Sequence, residues 1–290
     1  LGFALDEPGD IVVAGPADQA GVVIAAIEGD GGRLSLDPSR NTAGAAALAL
    51  LERLETTRGV TLSLHQGLPL ESGVGSSGAS AVAAVVAVNE LLGRPASLDV
   101  LFACAMAGEQ AGCGAPHPDN VAPALYGGFV LARTAHPPDI VHLPVPDGLA
   151  CAVLHPHLHI QTGVARALLG DTVPLRDAVR QWGNVGALVA SLFLGDRALL
   201  SRSVEDVIAE PKRATLVPGF HALKSAALEA GAIGCSLSGS GPSVFALAAS
   251  LDEARRVGQA MQRAFAEASP VGADLWVSPV GRQGARVVQA

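Results

Sequence analysis

Between residues 68 and 80 the chain reads Leu-Pro-Leu-Glu-Ser-Gly-Val-Gly-Ser-Ser-Gly-Ala-Ser, a glycine–serine loop that runs straight into the apolar stretch Ala79–Leu92. Ahead of it, Val60-Thr-Leu-Ser-Leu-His65 alternates apolar and polar residues as a strand does. The loop therefore joins a strand to a helix N-terminus, and that placement restricts its chemistry. Gly73, Gly75 and Gly78 permit positive φ and let a ligand approach the main chain. The first turn of a helix has N–H groups without intrahelical partners, and the helix dipole favours an anion there. Ser76 and Ser77 add hydroxyls able to meet phosphate oxygens or a Mg²⁺ ion. The stretch reads as a phosphate cradle. A flexible Gly/Ser turn without a ligand is the plain alternative.

Two better-known phosphate loops fail. Gly73-x-Gly75-x-x-Gly78 matches the dinucleotide fingerprint literally, but that fingerprint needs a second strand ending in an acid. Here the helix leads into Gly93-Arg-Pro-Ala-Ser97 and then another helix, so Asp99 opens a helix instead. A P-loop needs Gly-Lys-Ser/Thr, and the only lysines are Lys212 and Lys224.

The remaining motifs agree with one another. Pro69-x-x-x-Gly73-Val74-Gly75-Ser76-Ser77-Gly78-Ala79 resembles the second motif of the GHMP kinases, and Ser238-Gly-Ser240-Gly241-Pro-Ser243 resembles their third. His117-Pro-Asp119-Asn120-Val-Ala-Pro123 and Asp206–Arg213, followed by Leu216–Phe220, resemble the homoserine kinases within that family. The resemblance spans essentially the whole chain. It implies ATP-dependent phosphorylation of L-homoserine to O-phospho-L-homoserine, a step in threonine biosynthesis. A kinase for mevalonate or shikimate, or a nucleotide-binding member without catalysis, are the competing readings.

Composition bounds the partners. The 290 residues are 49% hydrophobic and 16% charged, which describes a well-cored globular protein. A net charge of −8 argues against a nucleic-acid or anionic-membrane surface. An anionic substrate must then be met by local donors, and arginine is the main cationic side chain available. Cys104, Cys113, Cys151 and Cys235 form no Cys-x-x-Cys, which suits a reduced, cytoplasmic chain. No apolar run of about 20 residues marks a membrane span.

Strands are expected at Asp10–Ala14, Val22–Ile27, Gly127–Arg133, Leu149–His155, Ala232–Leu237, Ser243–Ala249 and Asp274–Val280. Helices are expected at Ser39–Arg58, Ser97–Gly112, Leu175–Leu194, Arg197–Ile208, Phe220–Ala230 and from Ser250 to near Ala268, with a short one opened by Thr162–Arg166. Thr134–Asp147 is Pro/His-rich and reads as a connector, and His117–Asn120 as a turn. Strand-loop-strand-helix-strand at the C-terminal end suggests an α+β layer, helices on one face of an antiparallel sheet. The resemblance adds the two-domain GHMP architecture: a ribosomal protein S5 domain 2-like ATP-binding half, residues 1–147, and a ferredoxin-like half, residues 148–290.

Residue roles follow in the same two ways. Asn41 can offer an amide to a base edge or simply cap its helix, and in the resembling family the matching residue contacts adenine. Glu109 is the only acid between Val100 and Pro118, costly to bury ionised unless something positive meets it. A solvated helix face is the bland alternative, and the resemblance makes Glu109 a Mg²⁺ ligand together with Ser77. It places ATP on Pro69, Gly73, Val74, Gly75, Ser76, Ser77, Gly78, Ser240 and Gly241. It surrounds homoserine with His117, Asp119, Asn120, Thr162, Arg166 and Arg213, of which Asn120 and Arg166 would act in catalysis. Arginine suits a substrate carboxylate through planar, bidentate donation. Homodimers are usual in the resembling family. Leu1-Gly-Phe-Ala-Leu5 resembles the tail of the family's first motif, which implies upstream Asn and Asp residues completing the acceptor pocket.

Overall fold

A computed structural model describes residues 1–134 and 137–289, apart from the side chain of Cys113. The first half holds β1 (Gly2–Phe3), β2 (Ile11–Ala17), β3 (Gly21–Glu28), α1 (Thr42–Arg53), β4 (Gly59–His65) and α2 (Ser76–Leu91). It continues with α3 (Leu98–Cys113), α4 (Pro118–Tyr126), β5 (Phe129–Thr134) and β6 (Asp139–Leu143). One sheet is ordered β2-β4-β3, with β3 and β4 parallel across the α1 crossover, and a second is ordered β1-β5-β6. Small residues let the helices close up. A Cβ on Gly108 of α3 would lie 2.5 Å from the Thr42 carbonyl and 2.6 Å from the Ala46 methyl on α1. Leu50, Val85, Val88, Phe102 and Met106 fill the layer between these helices and the β4 side chains Leu62 and Leu64.

The second half holds β7 (Ala150–Pro156), α5 (Thr162–Ala167), α6 (Leu175–Leu194), α7 (Arg197–Ser203), α8 (Glu210–Arg213), α9 (Phe220–Glu229), β8 (Gly234–Leu237), β9 (Val244–Ala248), α10 (Leu251–Ala268) and β10 (Ala273–Pro279). Its antiparallel sheet is ordered β10-β7-β9-β8, the βαββαβ arrangement of ferredoxin-like folds. Every residue of β7 is buried. Leu154 meets Phe220, Met261 and Phe265 beneath α9 and α10, each side chain contributing about 1.5–3 kcal/mol by burial. Ser250 caps α10 by accepting from the Glu253 N–H, as the sequence indicates.

Three expectations are corrected. His117–Asn120 is not a turn: Pro118 sits at the first helical position, where its missing N–H matters least, and α4 follows. The connector Thr134–Asp147 contains β6, which pairs antiparallel with β5. The helix expected to reach Ile208 stops at Ser203. The halves also share an apolar layer, in which Phe129 and Leu143 meet Cys151, Val153 and Leu247. The tail returns to the first half, where Gly281 N–H donates to Ala4 O and Ala285 N–H to Ala124 O. Among the described residues no helix is long and apolar enough to cross a membrane.

Candidate active site

The loop ahead of α2 is fixed from both sides. Asp10 accepts from the N–H groups of Gly67 and Leu68, each at 3.0 Å, and from the Ser80 hydroxyl at 2.6 Å. Burial nevertheless pushes the Asp10 carboxyl above its ordinary range, against those three hydrogen bonds. Gln66 donates to Ser80 Oγ at 2.8 Å, and Ser76 Oγ lies 3.3 Å from Gln66 Oε1. The buried Ser76 hydroxyl thus faces the loop's own scaffold, which leaves its N–H as the group available at the helix end. From the other half, Ser238 Oγ donates to Gly73 O at 2.8 Å and Ser243 N–H to Ser72 O at 3.1 Å. The contact is backbone on backbone: a Cβ on Gly73 would lie 2.3 Å from Ser238 O and 2.8 Å from Gly241 O. Val74 packs into the shared apolar layer, Pro69 is half-buried, and Ser240 Oγ stays within its own loop, 3.3 Å from Gly241 O.

Gly75 is left-handed, with φ 79° and ψ 28°, and gives α2 no side-chain cap. The first intrahelical bond runs from Ala79 N–H to Gly75 O, so the N–H groups of Ser76, Ser77 and Gly78 remain at an open, positively polarised end. Asn120 lies over this end: a Cβ on Gly75 would be 3.5 Å from its side chain, and one on Gly78 would be 3.2 Å from its Cβ.

Beside the loop, Glu109 is fully buried on α3. Ser77 Oγ donates to one carboxylate oxygen, and His117 Nδ1 lies 2.7 Å from the other. His117 Nε2 in turn lies 3.1 Å from an Arg166 guanidinium nitrogen. The Glu109 hydrogen bond holds the His117 pKa above the usual imidazole value, while burial and Arg166 pull it down. Protonation of Nε2 would set it against the guanidinium, so the neutral Nδ1–H tautomer completes the chain from Arg166 through His117 to Glu109. Thr162 opens α5, four residues ahead of Arg166, and Asp119 is exposed in the first turn of α4. Arg213 donates from Nε to Ala165 O at 3.2 Å and from a terminal nitrogen to Gly239 O at 2.9 Å. Three of its five donor hydrogens remain for a ligand.

Asn41 caps α1. It is buried at the start of α1, its oxygen accepting from Ala43 and Gly44 N–H and its amide donating to Ser35 O at 3.0 Å. Its oxygen is thus committed to the helix cap.

A neighbouring titration gives a pH test. His155 on β7 is buried, 3.0 Å from Ser243 Oγ, with its ring stacked on Trp276 at 5.7 Å. Burial lowers its pKa to about 4. The folded protein therefore binds fewer protons here than the unfolded chain, and acid favours unfolding. This contribution is full above pH ~6.5 and is lost as pH falls toward the folded value, on the order of 2–3 kcal/mol in all. Urea melts followed by tryptophan fluorescence should show that loss between pH 7 and 4.5. His155→Gln should remove most of it, and an equal slope in that variant would rule His155 out as its source.

An open helix end for phosphates, a buried carboxylate beside it and arginines beyond define an enzyme of phosphoryl transfer to a small acceptor. Residues 41–128 match the family described as GHMP kinases N terminal domain, and residues 184–267 match GHMP kinases C terminal. The chain is 49% identical to a homoserine kinase of Chlorobium phaeovibrioides, covering 99% of this chain and 93% of that protein. It is 38% identical to one from Xylella fastidiosa, covering 99% and 88%. The crystal structure of homoserine kinase from Cytophaga hutchinsonii superposes with a TM-score of 0.94 at 50% identity, over 97% of this chain and 89% of that one. L. major mevalonate kinase, at a TM-score of 0.72 and 18% identity over 96% and 88%, shares the fold. The chain belongs to the GHMP kinases, and within them to the homoserine kinases.

Proposed function

We propose that this site transfers the γ-phosphoryl group of ATP to the side-chain hydroxyl of L-homoserine, with the phosphates on the open end of α2 and the acceptor between α4, α5 and α8. The observation that carries the reading is the continuous line from Ser77 through Glu109 and His117 to Arg166, which joins the phosphate end to the acceptor end. Asn120 has no basic lone pair to take the hydroxyl proton. Catalysis then rests on positioning and on charge stabilisation by Arg166 and the α2 amides. Arg213 and Arg166 supply donors for the homoserine carboxylate, and Thr162 and Asp119 border it.

Mg²⁺ fits the donors present. Glu109 is a buried carboxylate with a histidine hydrogen-bonded to one oxygen, and Ser77 offers a hydroxyl beside it. Among the described residues no group of three or more His, Cys, Asp or Glu side chains could cage a metal. That suits Mg²⁺, which takes one or two carboxylates and completes its shell with phosphate and water. When bound it would neutralise phosphate charge. In this reading residues 1–147 form the nucleotide half and residues 148–290 the half that closes on it. Buried, unpaired Cys104, Cys151 and Cys235 support a reducing, cytoplasmic setting. ADP release measured with homoserine, mevalonate, shikimate and no acceptor tests the assignment. Turnover that depends on homoserine alone is expected, and release indifferent to the acceptor would overturn it.

Homodimer formation is part of the same proposal. Along α6, Leu175 (72% exposed), Val179 (55%) and Trp182 (66%) line one stripe at helical spacing. Pairing of two such stripes would bury it. Trp182→Glu should then shift the sedimenting species from dimer toward monomer, and an unchanged dimer would move the interface elsewhere.

A further inference from the structure

Of the residues proposed to border the acceptor, those on α5 have the least support of their own. This helix spans six residues, Thr162–Ala167, and only Ala165 is buried. What holds it is α8. Arg213 Nε donates to Ala165 O, and Lys212 Nζ donates to Leu169 O at 2.5 Å, just past the end of α5. Two cations at the C-terminal carbonyls of a helix are favourably placed. The other guanidinium bond of Arg213, to Gly239 O, ties α8 to the loop that meets the phosphate cradle.

Because α8 is a single turn of four residues, it needs a fixed point of its own. Glu210 supplies it. Its carboxylate turns away from α5 into the second half's core, where Lys224 on α9 donates to one oxygen and Ser236 on β8 donates to the other at 2.7 Å. The Glu210 and Lys224 side chains are only 11% and 21% exposed, and Lys224 Nζ also lies 5.8 Å from the Phe220 ring centre. Removing one partner of such a pair leaves an uncompensated charge in low dielectric.

We propose that the Glu210–Lys224–Ser236 anchor is the positioning element of the acceptor site, fixing α8 and through Arg213 and Lys212 setting where α5 presents Thr162 and Arg166. This rests on the reading of Arg213 and Arg166 as homoserine-binding residues. Glu210 touches neither substrate in that scheme. Its effect falls chiefly on the acceptor, because α8 reaches the nucleotide side only through the Gly239 carbonyl, while the cradle itself is held by Asp10 and Ser238.

The test uses the full chain carrying Glu210→Gln/Lys224→Met, which neutralises both charges together and avoids leaving one alone. Steady-state kinetics should show kcat/KM for homoserine falling roughly 10- to 100-fold, chiefly through KM, with affinity for Mg²⁺–AMP-PNP by calorimetry within about twofold of the parent. Added to Arg213→Leu, the same pair should lower homoserine use little further, since both act through one contact. Ser236→Ala, which removes one anchor bond and no charge, should shift homoserine KM in the same direction by less, and it carries the test if the double variant does not fold. A lowered melting temperature with unchanged homoserine KM would overturn the proposal, as would parallel losses in nucleotide affinity. Unchanged homoserine KM in Arg213→Leu itself would instead overturn the acceptor reading beneath it.

Discussion

Glu109→Ala is expected to lower turnover with ATP and homoserine by at least ~10²-fold while the protein stays folded, because charge stabilisation at the phosphoryl group is lost. The carboxylate is fully buried, and its near partners are a hydroxyl from the phosphate loop and an imidazole from the acceptor side. Its bonds run to residues of the site, Ser77 and His117, so the effect should fall chiefly on rate. Glu109→Gln keeps the shape and removes the charge, and it should lose nearly as much activity as Glu109→Ala. Circular dichroism verifies the fold, and a Mg²⁺ titration of ATP binding separates the metal's share. Near-normal turnover in a folded Glu109→Ala protein would take Glu109 out of the reaction.

Gly73→Ala should damage both stability and nucleotide use. Its φ of 79° is strained for alanine, and the new methyl would meet the Ser238 carbonyl at 2.3 Å, a backbone atom that cannot rotate aside. Left-handed strain and overpacking each cost about 1–3 kcal/mol, so a loss on the order of 3 kcal/mol is expected. At roughly 2–4 °C per kcal/mol for a chain of this size, the melting point should drop by about 6–12 °C. Displacing the loop by even an ångström should also reduce kcat/KM for ATP on the order of 10²-fold. Gly93 is the control: its φ of 87° carries the same strain with nothing within 4 Å, so Gly93→Ala should be milder and leave ATP kinetics intact. If Gly73→Ala melts and turns over as the parent does, the two glycine loops do not meet as described.

The glycine loop that opens α2 is legible because its pattern is local: three glycines, two serines and the helix after them sit close together in the chain. Most elements were legible from periodicity, as were the Ser250 cap and the α+β class. The α4 helix was not, because Pro118 and Pro123 look like turn formers until one sees that the first occupies the initial helical position. Strand β6 was hidden by the prolines and histidines around it. Asp10 gave no signal at all beyond an acid next to a glycine, since its partners Gly67, Leu68 and Ser80 lie more than fifty residues away. Asn41 shows the opposite case. A motif match suggested a ligand contact, while local capping chemistry, visible in the same residues, describes its bonds. Glu210 and Lys224 fall fourteen residues apart on two different helices, so only the fold brings them together.

The returning tail matters for how the chain is made. Asp6 N–H reaches Ser278 Oγ, and Gly281 and Ala285 bond to Ala4 and Ala124, so the segment after β1 and the helix α4 receive their last bonds from residues late in the chain. A ribosome adds about 5–20 residues per second, which leaves the early half waiting roughly 7–28 s for its closing segment. During that interval the edge beyond β1 is unfinished and the shared apolar layer lies open to solvent. Vectorial synthesis thus exposes this enzyme longest at the surface where its halves will meet, and that surface is where a chaperone would have most to cover.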